Sequence, residues 1–198
     1  INNSVPLDIF SNKGKNFRNK IKFKEEDFVI IVSAAWRRHK RINEILELFF
    51  KLKSKIRKLK LIILGDYNKK ITDPDIVVAG NISPDHLPEW YRSANLYIHL
   101  SWIDQNPNTL VEAIACGLPS ICTNNGGTRE LIEKTSSGIV SNADENYNYQ
   151  LVDYYNPPKP NYDILINDFM EIYNNYEIFK KKINPQPIDI SNAALKYI

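Results

Sequence analysis

The sequence lacks long hydrophobic runs and the short motifs of several enzyme classes. A membrane-spanning helix needs about 18 or more apolar residues, and the longest candidate, 96–103, is interrupted by His99 and Ser101. No GxGxxG, P-loop or GxSxG motif is present, so nicotinamide-dependent, ATP-hydrolysing and serine-hydrolase functions lose their usual support. The three histidines have no metal-type spacing with carboxylates or cysteines, and no metal site is expected.

Cysteine and glycine are also scarce. Cys116 and Cys122 lie in apolar sequence without a CxxC pattern, which predicts small buried side chains and no metal or redox role. Seven glycines in 198 residues exclude a collagen-like or low-complexity chain. Because 43% of the residues are hydrophobic, the chain can bury a core of its own and is expected to form one domain.

Positive charge slightly exceeds negative charge. The formal net charge is +3, and the basic residues gather at 13–24 and 37–41. This balance is compatible with anionic ligands and does not by itself indicate nucleic acid. The first ten residues, INNSVPLDIF, have no initiator Met and neither the cationic nor the apolar part of a leader peptide. We therefore expect a further part of the protein upstream.

Short apolar runs alternate with segments of helical periodicity. Most of the short runs are continuously apolar, as in strands covered on both faces. The alternation predicts an α/β fold with a doubly wound, Rossmann-like parallel sheet. The predicted strands are 28–34, 61–64, 76–79, 96–100, 120–123 and 139–140. Three predicted helices cover 107–116, 128–134 and 163–182, and two more begin at residues 42 and 83. Residues 142–161 are expected to be a loop or insertion, and 163–198 to carry C-terminal helices.

The most unusual segment is 101–127, which lies where such sheets bind ligands, at the carboxyl ends of the strands. Its predicted helix has Asn106 as N-cap and Pro107 at the first helical position. The backbone amides around Asn108 and Thr109 then have no helical acceptor. Together with the helix dipole, they predict an anion site.

Two carboxylates frame this anion site, Asp104 in the loop and Glu112 in the helix. A carboxylate does not coordinate a phosphate, so hydroxyl groups, such as those of a ribose and a sugar, are its natural partners. The pattern indicates a ligand that combines a polyol with phosphate. From the residues alone an alternative stays open, in which Asp104 only forms a turn and Glu112 makes an ion pair on the helix surface.

Three other strand ends carry candidate ligand residues. Gly126 and Gly127 follow the fifth strand, where paired glycines allow close approach to a ligand or simply form a left-handed turn. The basic run 36–41 follows the first strand and would neutralise phosphate, although such runs are also typical of solvated faces and nucleic-acid patches. Gly65 and Asp66 end the second strand and would approach a base or ribose, or form a plain turn.

Taken together, these residues resemble a known family. The chain is similar to the C-terminal, donor-binding domain of the group 1 glycosyltransferases, retaining enzymes of the GT-B fold that transfer a sugar from a nucleotide diphosphate. The resemblance runs from INNSVPLDIF to about Ser141. It is densest where the family has Glu, seven residues, Glu, Ala and Gly-x-Pro, and this chain has Asp104, seven residues, Glu112, Ala113 and 117–119. The following GGTREL is similar to the family's glycine-rich turn.

The resemblance implies a role for each matching residue. Glu112 would hold the ribose hydroxyls, and Asp104 would contact the transferred sugar near the reacting carbon. Lys40 matches the family's phosphate-binding lysine, and Gly126 and Gly127 would line the donor phosphate and sugar. The diphosphate would be held by the amides of Asn108, Thr109 and Leu110.

Two departures from the family pattern affect these implied roles. Asp104 is one methylene shorter than the family's Glu, which would alter donor geometry or choice. The family's arginine five residues before the lysine is Ala35 here, so one phosphate cation is missing from its usual place. We hypothesise that Arg37 or Arg38 substitutes for it.

The implied reaction is transfer with retention, in which helix-start amides and Lys40 stabilise the leaving diphosphate, without a metal or other cofactor. The expected partners are a nucleotide-sugar donor and a glycan or lipid-linked acceptor, the latter held by an upstream domain, and no nucleic acid. The 198 residues alone are therefore expected to bind nucleotide without transferring sugar. A cytoplasmic location follows from where nucleotide sugars are made, and the basic segment 13–24 favours peripheral association with the inner membrane face.

Three other functions compete with this interpretation. A non-catalytic nucleotide-binding module, degenerate at Ala35 and Asp104, would show no preference for the sugar conjugate. A nucleic-acid binder would use the basic run with Trp36 stacking on a base, and its binding would depend steeply on salt. A sugar-nucleotide epimerase of the GT-B fold would release free nucleotide without an acceptor.

Overall fold

A computed structural model of the chain describes residues 3–145, 151 and 153–194, and its centre is one parallel sheet. The strand order is β3-β2-β1-β4-β5-β6, and every neighbouring pair is parallel. The predicted doubly wound sheet and its six strands are therefore confirmed. The strands are β1 (Phe28–Ser33), β2 (Leu59–Leu64), β3 (Ile76–Gly80), β4 (Leu96–His99), β5 (Ser120–Thr123) and β6 (Gly138–Ser141).

Helices connect most of the consecutive strands and follow β6, whereas a loop without a helix joins β2 to β3. One prediction was wrong: the segment 163–182 is two helices, because the backbone leaves the helical region at Asn175, where φ is −118°. Residues 195–198 of the predicted C-terminal helical region lie outside the described residues. The helices are α1 (Ile42–Lys53), α2 (Leu87–Tyr91), α3 (Asn108–Ala115), α4 (Thr128–Thr135), α5 (Tyr162–Asn174), α6 (Tyr176–Lys182) and α7 (Ile190–Ala194).

Both faces of the sheet are buried. Along β1, Val29 and Ile31 pack in the core layer formed with α2, α3 and α4, whereas Ile30 and Val32 pack in the layer formed with α1 and α5. This two-sided burial explains why the strands are continuously apolar. Each such fully buried side chain contributes about 1.5–3 kcal/mol. Both cysteines are buried and free, as predicted, and burial raises the pKa of each thiol to about 12.

One residue of the basic segment 13–24 belongs to the interior. Arg18 is buried, and its Nε donates to the carbonyl of Ser93 at 3.0 Å, while Nη2 donates to Oδ1 of Asn95 at 2.6 Å. The Arg18 side chain thus holds the N-terminal segment against the end of α2.

Among the described residues, no helix combines the length and the hydropathy needed to cross a bilayer.

Arg41 joins the loop after β1 to the segment that follows β6. Its side chain is fully buried, and its guanidinium donates to both carboxylate oxygens of Asp144, at 2.8 and 2.9 Å, and to the carbonyl of Pro158 at 2.6 Å. The backbone of Arg41 has φ +57°, an unfavourable left-handed conformation that these contacts stabilise.

Within the predicted loop 142–161, the described residues form no helix or strand, and 146–150 and 152 lie outside them.

Replacing Arg41 by Met should lower the free energy of unfolding by about 3–5 kcal/mol, because it leaves the Asp144 carboxylate buried without its cation. Denaturant unfolding measures this change. Arg57→Met is a matched control, since Arg57 is exposed and the same substitution there should change stability by less than about 0.5 kcal/mol. Equal stability of the two variants would show that the buried pair is not needed.

Candidate functional site

The candidate site lies where the strand order of the sheet reverses. β1 and β4 are neighbours at this point, although they are not consecutive in the chain, and open α/β sheets bind ligands in the crevice that forms there. A short 3₁₀ turn, Arg38–Lys40, follows β1, and the loop with Asp104 follows β4. The two loops are joined by a hydrogen bond from the amide of Trp102 to the carbonyl of His39, at 2.8 Å.

Lys40 and Asp104, which are 64 residues apart in sequence, are in direct contact. Nζ of Lys40 lies 2.5 Å from Oδ2 of Asp104, and Nε2 of His99 lies 3.2 Å from the same oxygen. Burial acts to raise the pKa of Asp104, but His99 and Lys40 outweigh it and hold the pKa well below its usual range. Burial lowers the pKa of His99, and the contact with Asp104 acts in the opposite direction. Asp104 is therefore an ionised carboxylate that lies between Lys40 and His99.

Glu112 faces a buried tyrosine. The hydroxyl of Tyr91 donates to Oε2 of Glu112 at 2.9 Å. Burial raises the pKa of Glu112, and the hydrogen bond from Tyr91 acts in the opposite direction. Among the described residues Glu112 forms no ion pair, so the alternative of a helix-surface pair finds no support. The remaining capacity of this carboxylate suits a hydroxyl ligand.

A row of buried rings connects the two carboxylates. The ring centroids of Tyr91 and Tyr97 are 6.1 Å apart, and those of Tyr97 and His99 are 6.2 Å apart. The Tyr97 hydroxyl lies 2.8 Å from Oγ1 of Thr109 at the start of α3. Sequence reasoning missed this row, although one signal was available: positions 97 and 99 alternate along β4 and therefore share a face.

The start of α3 differs from the prediction by one residue. The helix begins at Asn108 with Pro107 in the N-cap position, so the assignment of Asn106 as N-cap was wrong. The reason is a competing donor: Oδ1 of Asn106 accepts from the backbone amide of Asn3 at 3.0 Å. The N-terminal segment, which is distant in sequence, thus occupies the side chain that was expected to cap the helix.

Two of the three predicted helix-start amides remain as donors. The amide of Leu110 donates to the carbonyl of Pro107 at 3.2 Å. Within the described part of the chain, the amides of Asn108 and Thr109 have no backbone acceptor. Both lie at the positive end of the α3 dipole, beside the Asp104 loop, and this is the arrangement that binds anions.

Gly126 and Gly127 approach the protein's own backbone. Gly126 forms a parallel bridge with Asp104, and the amide of Gly127 donates to the Asp104 carbonyl at 2.9 Å. A Cβ on Gly126 would overlap that carbonyl, and one on Gly127 would overlap the carbonyl of Gln105. The pair is therefore required to seat the Asp104 loop, and its predicted contact with the donor stays a prediction.

Of the remaining predicted residues, Arg37 and Arg38 line two cavities next to the site. The guanidinium of Arg38 lies 2.7 Å from Oε1 of Glu44, and both Arg37 and Arg38 are exposed. Both arginines line a cavity of about 740 Å³ on the side of Asp104 and another of about 400 Å³ on the side of Asp66. Gly65 packs so tightly that a Cβ would overlap the Ala34 carbonyl, which explains its glycine.

The described residues contain no group of three or more His, Cys, Asp and Glu side chains that could hold a metal ion. The positive charge of the candidate site is carried by Lys40 and by the amides of Asn108 and Thr109. The predicted residues that the fold brings together are Lys40, Asp104, Glu112, Asn108 and Thr109, all on the loops and helix beside β1 and β4.

Two curated proteins are similar to the chain in sequence. Lipopolysaccharide 1,2-N-acetylglucosaminetransferase of Salmonella typhimurium is 27% identical over 139 residues, which cover 61% of this chain and 36% of that protein. N-acetyl-alpha-D-glucosaminyl L-malate synthase of Bacillus anthracis is 27% identical over 124 residues, which cover 59% of this chain and 32% of that protein. The chain spans about a third of the length of these relatives.

The fold has similar solved structures. Sucrose-phosphate synthase from Thermosynechococcus elongatus superimposes with a TM-score of 0.75 at 15% identity, over 98% of this chain and 49% of that one. At this level of identity the likeness concerns the fold, which is that of one half of a GT-B glycosyltransferase. The family described as Glycosyl transferases group 1 matches residues 14–151. This match covers all six strands and the candidate site, and the chain belongs to the group 1 glycosyltransferase family.

Proposed function

We propose that the chain is the donor-binding part of a retaining glycosyltransferase, which binds a nucleoside diphosphate sugar and supports transfer of the sugar to a glycan or lipid-linked acceptor. The observation that carries this proposal is the meeting of Lys40 and Asp104 across the reversal point of the sheet. A cation, free helix-start amides and two carboxylates lie around that contact, and this combination matches a ligand made of phosphates and hydroxyls.

The diphosphate would bind at the start of α3. The amides of Asn108 and Thr109 are oriented by the helix and need no rearrangement when charge develops on the leaving phosphate. Lys40 would add a full positive charge on the opposite side. These groups supply the electrostatic stabilisation that the leaving group requires, so we propose that transfer needs neither a metal ion nor another cofactor.

The two carboxylates would orient the sugar and the ribose. Glu112, with one oxygen held by Tyr91, would accept hydrogen bonds from ribose hydroxyls. Asp104 would accept from a hydroxyl of the transferred sugar, and its contacts with Lys40 and His99 keep the shorter side chain ionised and fixed. His99 is thus a positioning residue in this proposal.

The structure makes the nucleic-acid alternative less favourable. Of the basic run 37–41, Arg41 is buried in its pair with Asp144 and Arg38 is paired with Glu44, so the run presents less free charge than the sequence suggests. The non-catalytic module and the epimerase share the same binding groups. An enzyme should prefer the sugar conjugate to the plain nucleoside diphosphate, whereas the non-catalytic module should not. Release of free nucleotide in the absence of an acceptor would identify the epimerase.

Most of the acceptor side is proposed to lie on a part of the protein outside this chain, and the 198 residues are expected to bind nucleotide without transfer. Work at the cytoplasmic face of a membrane is part of the same proposal. The names of the two similar proteins refer to N-acetylglucosaminyl groups, so nucleotide N-acetylhexosamines are the first donors to test.

Glu112→Gln should weaken binding of a nucleoside diphosphate by roughly tenfold or more, because hydrogen bonds to a charged acceptor contribute about 1.5–3 kcal/mol. Calorimetric titration measures the affinity. Glu133→Gln is the matched control, since Glu133 lies on the exposed face of α4. An unchanged affinity in Glu112→Gln would remove this residue from the site.

Nucleotide affinity should also depend on pH through Glu112. Its pKa is raised above 4.5, and a bound ribose favours the ionised form, so affinity is full above the raised pKa and falls as the pH is lowered through it. Wild type and Glu112→Gln are titrated in parallel from neutral to acidic pH. The ligand phosphates ionise equally in both experiments, so their difference reports Glu112. Parallel pH profiles would argue against this role.

Lys40→Met should reduce the affinity for a nucleoside diphosphate and leave that for the free nucleoside unchanged, because only the former carries the phosphates that Lys40 would contact. The same pair of ligands tests whether Arg37 or Arg38 compensates for Ala35: one of the variants Arg37→Ala and Arg38→Ala should lose diphosphate affinity. If both retain it, the compensation hypothesis fails.

A further inference from the structure

A cavity of about 740 Å³ adjoins the candidate site and is assigned no role by the proposed reaction. One wall is the basic turn after β1, and the other carries Tyr154 and Tyr155 from the segment after β6. Lys40 and Asp104 also line it, so the cavity is continuous with the groups proposed to contact the transferred sugar. Its volume is within the range of about 300–1,000 Å³ that is typical of small-molecule sites.

The two walls are tied together by buried interactions. Arg41, the residue after Lys40, holds Asp144 and the Pro158 carbonyl, and these two residues flank the aromatic pair in sequence. The amide of Asn161 donates to the carbonyl of Ala143 at 2.7 Å, which closes the segment at its base. The relative position of the walls is thus determined by a bidentate ion pair inside the protein.

The charge of the cavity is not balanced by its own acids. Lys40 is paired with Asp104 and Arg38 with Glu44, whereas Arg37 makes no ion pair with any described residue. Burial lowers the pKa of His39, assisted by Lys40 and Arg37. The exposed guanidinium of Arg37 therefore offers a planar pair of donors, which suits a carboxylate or phosphate.

The aromatic wall is suited to a sugar ring. Tyr155 is 83% exposed and Tyr154 44% exposed, and Tyr154 packs edge-on against His39 with centroids 5.0 Å apart. An exposed tyrosine offers an apolar ring face to the C–H face of a pyranose and a hydroxyl to its polar rim. The Gln105 amide, on the same cavity lining, supplies a further donor and acceptor for hydroxyl groups.

We propose that this cavity binds a saccharide carrying a phosphate or carboxylate group, with its ring on Tyr155 and its acidic group on Arg37, as part of the acceptor. Arg38 is then the arginine left to compensate for Ala35 at the donor phosphates. The assignment to the acceptor rests on the proposed function, because Asp104 and Lys40 would place such a saccharide beside the transferred sugar. The binding itself depends only on the lining of the cavity.

The test is a titration of the chain with glucose 6-phosphate, glucuronate and glucose, each in the absence and in the presence of saturating uridine diphosphate. Glucose 6-phosphate and glucuronate should bind more tightly than glucose, and saturating nucleotide should not displace them. Arg37→Gln should weaken the two acidic sugars by about tenfold without changing glucose, and Tyr155→Ala should weaken all three. Arg57→Gln, an exposed arginine just before β2, is the matched control and should change nothing.

Equal affinity for glucose and the acidic sugars would overturn the proposal, as would displacement of the acidic sugars by uridine diphosphate or full affinity in Arg37→Gln. Failure of the proposed donor site is a separate result, recognised because uridine diphosphate itself would then fail to bind in its own titration. Arg37 and Tyr155 are both exposed, so thermal unfolding of the variants should match that of the wild type.

Discussion

The contact between Lys40 and Asp104 is the interaction on which the candidate site depends. It joins the loops after β1 and β4, two strands that become neighbours only because the sheet is wound in both directions. In a half-buried position, an acid of this kind is stabilised in its charged form only by partners close by, and here Lys40 and His99 provide them. The site therefore combines a fixed negative charge and a fixed positive charge a few ångströms from the open amides of α3.

Much of the surrounding structure keeps this contact in place. Gly126 and Gly127 have no side chains and so allow the next strand's loop to hydrogen-bond the Asp104 backbone. On the other side, Arg41 accepts a left-handed backbone conformation and a buried charge, and both are stabilised by Asp144. Buried ion pairs of this type add little net stability compared with an apolar core, but removing one partner is costly. The buried side chain of Arg41 therefore fixes the position of the preceding residue, Lys40.

The fold and most of the site residues could be predicted from the sequence because they depend on local patterns. Continuous apolar runs predicted all six strands, and the spacing of Asp104 and Glu112 pointed to the edge where they lie. What could not be predicted depends on contacts between distant parts of the chain. Asn106 does not cap α3 because Asn3 occupies its carboxamide, and Arg41 is no surface cation because Asp144, more than 100 residues later, neutralises it.

The aromatic row of Tyr91, Tyr97 and His99 shows a different limit. All three side chains are buried, and their polar ends also contact Glu112, Thr109 and Asp104. A buried polar atom needs a partner, and the hydroxyls of Tyr91 and Tyr97 find theirs in the site residues Glu112 and Thr109. These side chains belong both to the core and to the site. A sequence pattern that identifies core residues therefore does not distinguish them from site residues.

Thermal unfolding in the presence of a graded set of ligands tests the central claim most directly. The set is inorganic pyrophosphate, a nucleoside, the nucleoside diphosphate and the corresponding nucleotide N-acetylhexosamine. Each group that finds its partner adds binding energy to the folded state. The account therefore predicts a larger rise of the midpoint for the nucleoside diphosphate than for pyrophosphate or the nucleoside, and the largest rise for the sugar conjugate. Equal shifts for pyrophosphate and the sugar conjugate, or no shift for any ligand, would contradict it.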